Sequence, residues 1–300
     1  MSHQKSKAVV EIVIIYLLIG ISGFLSYFFI NPGNEMLRFF IADLVMTVVV
    51  FAFSLLKKNS SAYDAYWSVI PFYFVLLWAY DSLGQWELAH YLTAFSISFW
   101  SWRLTHNWYR SWTGWEHEDW RYVNFRNQFG KHFQWINFSA IHLYPTLIVF
   151  LSMTGLFYLY DSTTQELNLL IILGNIISII GTLFELFADN TLYKERNNPL
   201  RQKGTSIRKG LWKYSRNPNY LGEILFWFGL AAVGIGAEAP YWTLLGSIGM
   251  FAMFVFASIP MKEKRLLKTR TDFEEYKKEV SMLIPLPPMK FGEKKTAPKI

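Results

Sequence analysis

The stretch 167-LNLLIILGNIISIIGTLFELF-187 carries a single charge, Glu185, in 21 residues. About 20 predominantly apolar residues are what a helix needs to cross the hydrocarbon core of a bilayer. Runs of the same kind recur at 9–29, 36–56, 66–83, 88–103, 136–159, 220–237 and 242–259. The pattern predicts an all-α polytopic bundle of about eight transmembrane helices. The fourth run is short, and a tight 236–241 turn joins the last two, so the count lies between seven and eight. A membrane β-barrel is excluded, because its strands are shorter and alternate apolar with polar residues. Composition agrees: 52% of the 300 residues are hydrophobic and 17% charged, where a soluble domain carries about 25% charge.

The net charge of +7 follows from topology. With a cytoplasmic N-terminus, 28 of the 29 lysines and arginines fall in cytoplasmic segments, leaving only Arg38 on the other side. That is the positive-inside pattern. It predicts an integral membrane protein with both termini cytoplasmic. It also removes the need for a nucleic-acid partner, since anionic lipid headgroups are partners enough. The apolar run after Lys7 shows no small-residue cleavage site and is read as a retained first helix. Residues 1–60 form the first two helices, 61–289 the main membrane domain, and 290–300 a basic tail. There is no cysteine, so thiolate chemistry and zinc-thiolate sites are excluded, and no other metal ligand set is expected.

Ionisable groups inside spans are expensive and mark function by default. Glu11 lies near a headgroup region and can snorkel. Asp43 is deeper, and reads equally as a structural partner or as part of a site. Glu185 and Glu223 flank the most polar segment, 188-ADNTLYKERNNPLRQKGTSIRKGLWKYSRNPNYLGEI-224. Glu185, Asp189 and Arg196 are spaced to share one helical face. Pro218 suits a first helical turn, which aims Asn219 and the amides after it at the cytoplasmic mouth. With Arg208, Lys209, Lys213 and Arg216 beside it, this helix start is an anion site, open to a phosphate-bearing cofactor or to lipid headgroups. Arg103, His106 and Arg110 share another face, followed by 118-EDWRY-122. No glycine-rich dinucleotide fingerprint is present.

The block 210-GLWKYSRNPNYLGEILFWFGL-230, together with Asp189 before it, 272-DFEEYKKEVSMLIPLPP-288 after it, and 64-DAYWSVIP-71, Arg103 and 118-EDWRY-122 upstream, resembles the steroid 5-alpha-reductase superfamily, and within it the bacterial DUF1295 membrane proteins. The resemblance implies an NADPH-dependent oxidoreductase acting on a carbon–carbon double bond conjugated to a carbonyl. Its substrate would be lipophilic, steroid- or isoprenoid-like, and would enter from the bilayer. Carried over by position, the cofactor residues are Arg103, Glu185, Asp189, Arg196, Arg208, Tyr214, Arg216, Asn219, Tyr220 and Glu223. The catalytic region falls on Tyr66, Trp67 and Trp100. Steroid-reducing members place a glutamate and a tyrosine there. Trp100 can only donate an indole hydrogen bond, so the proton donor is left among Asp64, Tyr66, His142 and Tyr144. The other enzyme class is a membrane methyltransferase of the isoprenylcysteine or phospholipid type using S-adenosylmethionine, whose corresponding features are 216-RNPNY-220 and Glu263. Transporters place their polar groups near the bilayer midplane, which is not the pattern here.

Overall fold

The computed structural model describes residues 3–82, 85–162 and 165–289. Among them regular structure is helical, with one isolated bridge between Ser215 and Ser281. The first long helices are α1 (His3–Phe29), α2 (Glu35–Lys57), α3 (Tyr66–Asp81) and α4 (Leu88–Ser111). Then come α5 (Trp120–Phe129), α6 (Phe133–Ile136), α7 (Tyr144–Met153) and α8 (Leu156–Tyr160). The chain continues with α9 (Leu169–Arg196), α10 (Pro218–Gly236), α11 (Leu244–Ala252), α12 (Ile259–Thr269) and α13 (Phe273–Glu279). Helix occupies each of the eight apolar runs. Six helical stretches among the described residues are long and apolar enough to cross a membrane. α3 falls short at 16 residues, and α4 carries Arg103, His106 and Arg110 in its second half.

Helix ends follow local chemistry. Asn34 caps α2 by accepting from the Leu37 amide at 2.9 Å, and Lys58, at φ 51°, closes it. Asp119 caps α5 through the Arg121 amide. The run 136–159 is less regular than its composition implies. A π-helical turn, Asn137–Leu143, precedes α7, and a second, Met253–Ser258, precedes α12. Each stands directly ahead of a proline at the second helical position, Pro145 or Pro260. Proline has no N–H for the i−4 carbonyl and collides with it. One extra residue in the turn relieves the conflict, and the amides of Tyr144 and Ile259 reach back five residues, to Ser139 and Phe254.

The chain divides into two compact units: 1–179 with 226–250, and 180–225 with 251–300. In the first unit, buried polar side chains join helices. Ser96 of α4 donates to Asn175 of α9 at 2.8 Å, and Asn175 donates to Thr93 at 3.2 Å. Aromatic rings fill the rest, with Trp100 stacked on Phe226 at 4.5 Å and Trp78 on Tyr160 at 4.4 Å.

In the second unit Trp212 packs with Ala188 and Ile207, and its indole donates to the Ala188 carbonyl at 2.8 Å. The segment after α13 runs along 214–217: Arg216 N donates to the Ser281 carbonyl, Ser215 Oγ to the Leu283 carbonyl, and Leu286 N to the Tyr214 carbonyl. α10 meets α9 at Gly222, where a Cβ would lie 2.4 Å from the Glu185 side chain and 2.5 Å from the Gly181 carbonyl. Since that carbonyl belongs to a helix backbone and cannot give way, Gly222→Ala is expected to lower stability by about 1–3 kcal/mol. A thermal melt of the detergent-purified variant measures the effect; an unchanged midpoint would show that the helices can part there without loss.

Candidate functional site

Two constellations emerge, each within one unit. In the second unit, α9 supplies Glu185 and Asp189 one turn apart, and α10 supplies Asn219 and Glu223 one turn apart. The three acids are buried. The Asn219 amide group stands 3.4 Å from Asp189 Oδ1, whereas Asn219 Oδ1 is buried without a hydrogen-bond partner among the described residues. An amide oxygen left so costs about 1–3 kcal/mol, which a donor on a bound ligand would offset. Tyr220 packs on Phe254 at 4.9 Å. Lys262 of α12 places its ammonium 4.9 Å over both Tyr220 and Trp212 while donating to Asn217 Oδ1 at 2.8 Å.

Around this core lies a group of guanidiniums. Arg196 has Asp189, Arg265 and Arg201 as its charged neighbours. Arg270 has Arg201, Arg196 and Arg265 as cationic neighbours and Asp272 as an opposing carboxylate. Burial first, and then Arg201 and Arg196, push the Arg270 guanidinium below its ordinary value. Arginine keeps its proton regardless, so burial and the neighbouring guanidiniums together make this an unfavourable place for its charge. Both Arg201 and Arg270 donate to the Thr205 carbonyl. A cleft of about 370 Å³ opens alongside, lined in part by Arg201, Arg208 and Lys209.

The remaining expected residues of this unit are engaged within the fold as follows. Arg208 is paired with Glu279 and lies 3.8 Å from Asp272. Arg216 is buried, bonded to Glu263 at 2.8 Å and to the carbonyls of Lys277 and Val280, and Lys277 meets the other Glu263 oxygen at 3.3 Å. Its guanidinium is thus a structural pin. Tyr214 is exposed, with Lys213 over its ring at 5.5 Å.

The first unit holds the second constellation. The Tyr66 hydroxyl donates to Asp43 Oδ1 at 2.9 Å and lies 3.1 Å from the Asp43 carbonyl. Thr47 donates to the Tyr66 oxygen at 3.3 Å, and Thr47, Thr146 and Tyr63 continue the chain at 2.9 Å per link. Tyr63 packs against His142 at 4.8 Å. His142 Nδ1 is 2.8 Å from the Asn137 carbonyl, which can only accept, so the proton is on Nδ1 and the lone pair on Nε2. Asp43 Oδ2 and His142 Nε2 are buried with no hydrogen-bond partner among the described residues. Trp67 makes an edge contact with Trp100 at 6.3 Å. Trp100 and Arg103 are buried, whereas Tyr144 is exposed.

The motifs 64-DAYWSVIP-71 and 118-EDWRY-122 meet in space. Tyr122 donates to Asp64, Arg121 lies 3.8 Å from Asp64, and Glu118 accepts from the Ser60 amide at 2.8 Å.

A family model described as a protein of unknown function, DUF1295, matches residues 50–280. The chain belongs to this family. DUF1295 is the steroid 5-alpha-reductase-like family, and the match takes in the 64–71, 118–122 and 210–230 blocks. This DUF1295 protein is also similar to C594.04c, an uncharacterized protein of Schizosaccharomyces pombe. The two are 27% identical over 278 residues, which cover 81% of this chain and 77% of that one. No solved structure matches it.

Sequence reasoning passed over Arg201, Arg265, Arg270 and Lys262, because topology already accounted for their charge. The signal was present in the i, i+3 spacing of Lys262 and Arg265, which puts both on one face of a helix. Asp43 was noticed without a partner, which Tyr66 supplies.

Two expectations follow. Breaking a buried ion pair from one side leaves an uncompensated charge, so Arg216→Ala should destabilise the protein by about 3–5 kcal/mol, measurable as a lowered melting midpoint; a wild-type midpoint would show that Glu263 and the two carbonyls are satisfied without it. The second concerns Asp64, whose carboxyl burial raises to about 6 from 3.8, against the pull of Arg121. Its folded value lies above its unfolded one, so the folded state holds the proton more tightly. Its favourable contribution is complete below pH 3.8 and is lost as pH rises through about 6. Melting midpoints of wild type minus Asp64→Asn should therefore fall between pH 4 and pH 6.5, and a flat difference would refute the assignment.

Proposed function

We propose that this DUF1295 protein is a membrane oxidoreductase that uses NADPH to reduce the conjugated double bond of a lipophilic enone. The observation that carries the reading is the gathering of Arg196, Arg201, Arg265 and Arg270 beside the Asp189–Asn219 pair. Multiply charged phosphates would relieve the repulsion among these guanidiniums, in charge-assisted and often bidentate contacts. The unpartnered Asn219 oxygen and the buried carboxylates of Asp189, Glu185 and Glu223 suit the amide and hydroxyl donors of the same molecule. S-adenosylmethionine, which has no phosphate, would offer this group of guanidiniums a single carboxylate in place of several phosphate oxygens.

Bound NADPH would supply a hydride to the β carbon of the enone. The chain's own part is to stabilise the negative charge that develops on the carbonyl oxygen, until the enolate takes a proton from water at the α carbon and the reduction is complete. The Asp43–Tyr66 pair is the group suited to that. Tyr66 can turn its O–H from Asp43 to the carbonyl oxygen of the substrate while Thr47 continues to donate to the Tyr66 oxygen. Asp43, buried beneath it, sets the position of the hydroxyl. Trp67 and Trp100 contribute apolar surface from which water is excluded.

The test is binding of NADPH and of S-adenosylmethionine to detergent-purified protein, followed by NADPH consumption in the presence of a panel of lipid enones. Arg270→Ala and Asn219→Ala should each weaken NADPH binding at least about tenfold. Tyr66→Phe should leave the NADPH affinity unchanged and abolish turnover. Binding of S-adenosylmethionine in place of NADPH would move the protein to the methyltransferase reading.

A further inference from the structure

The segment 281-SMLIPLPPM-289 lies outside both constellations. Its course is fixed by the bonds to residues 214–217 described above, and by the Met289 amide, which donates to the Glu279 carbonyl at 2.9 Å. Residues 214–217 stand directly ahead of Pro218, where α10 begins, and α10 is long and apolar enough to cross a membrane. The segment is therefore held at the level where that helix enters the bilayer. Several of its apolar side chains are left uncovered: Ile284 is 63% exposed, Leu286 55% and Met289 59%, with Met282 exposed beside them. Leu283 and Pro285, which alternate with these, are half-buried.

The backbone points to what covers this surface. Pro285, Pro287 and Pro288 have no amide hydrogen, and the amides of Leu286 and Met289 are bonded to the carbonyls of Tyr214 and Glu279. From residue 285 to 289 no N–H is left over for water. That is what non-helical backbone needs beside hydrocarbon, where an unmet donor is costly. The same prolines keep another chain from pairing along this edge as a strand. Charge is a second, independent observation. α13 carries Glu274 and Glu275 in its first turn but Lys277 and Lys278 in its last, the end from which the segment leaves. Lys213, next to Tyr214, is exposed, and the sequence 290-KFGEKKTAPKI-300 adds four lysines against one glutamate.

We propose that Met282, Ile284, Leu286 and Met289 form an apolar edge that enters the headgroup–acyl boundary of a leaflet rich in anionic phospholipid, with Lys213, Lys278 and the lysines after residue 289 taking the lipid phosphates. Apolar contact and basic charge act together in interfacial attachment of this kind. The edge adds a lipid-specific contact to the hold that the spanning helices already have on the membrane. It is independent of the reductase reading, since none of these side chains belongs to either constellation.

The chain has no cysteine, so Ile284→Cys provides a single labelling site, and Gln202→Cys, at an exposed polar residue of the same unit, the water-facing reference. Each variant is labelled with nitrobenzoxadiazole and placed, one copy per nanodisc, in phosphatidylcholine and phosphatidylglycerol in equal parts. Lipids with a nitroxide near the top of the acyl chain should quench the label at position 284 at least about threefold more than at 202, and its emission should be blue-shifted. If Ile284→Cys fails to fold, Leu286→Cys takes its place. Replacing the phosphatidylglycerol by phosphatidylcholine should lower the quenching at 284 at least about twofold. Equal quenching at 284 and 202 overturns the proposal. A blue-shifted label that the lipid nitroxides do not reach also overturns it, by showing that protein covers the edge. Quenching at 284 that is the same with and without phosphatidylglycerol overturns the preference for anionic lipid.

Discussion

The second unit depends on one buried guanidinium. Arg216 stands just before α10, and its hydrogen bonds run to Glu263 on α12 and to the carbonyls of Lys277 and Val280 around the end of α13. A charge taken out of water is tolerable only when its hydrogen-bonding capacity is met, so these elements are held wherever Arg216 can reach them all. The same pin sets the start of α10, and with it Asn219 and Glu223. It also fixes the part of α12 from which Lys262 reaches Asn217 and Arg265 joins the arginine group. Trp212, bonded to the Ala188 carbonyl and to Tyr276, carries the constraint over to α9.

Much of this was legible in the sequence, for reasons that differ by level. The helices were visible because a bilayer imposes both length and apolarity on whatever crosses it, and each of the eight runs is helical. The block around 216-RNPNY-220 was visible because it crowds charge and helix-start chemistry into a few residues. What stayed hidden were the pairings. Arg208 and Arg216 read as phosphate ligands because sequence shows a cation without showing the carboxylate that answers it, and Glu279 and Glu263 lie 71 and 47 residues away. Arg265 and Arg270 are the converse case. Their charge was absorbed by the positive-inside count, and only the fold brings them beside Arg196 and Arg201.

Asp43 and Tyr66 illustrate a third case. Twenty-three residues apart on different helices, they have no motif spacing, and each taken alone has an ordinary structural explanation. Their hydrogen bond, continued through Thr47 and Thr146 to Tyr63, makes a polar thread through an apolar bundle. Such threads gain strength from the low dielectric around them and are heavily penalised if left incomplete.

The π turns ahead of Pro145 and Pro260 have a geometric consequence beyond sparing a collision. Each α-helical residue advances the chain by about 100° around the helix axis, so one surplus residue re-phases everything downstream by that angle. Thr146, which meets Thr47 and Tyr63, follows the first such step, and Lys262, Glu263 and Arg265 follow the second. The prolines thus behave as phase-setters: by forcing a wide turn, they decide which side chains of an otherwise uniform apolar rod present themselves to the polar groups of their own unit.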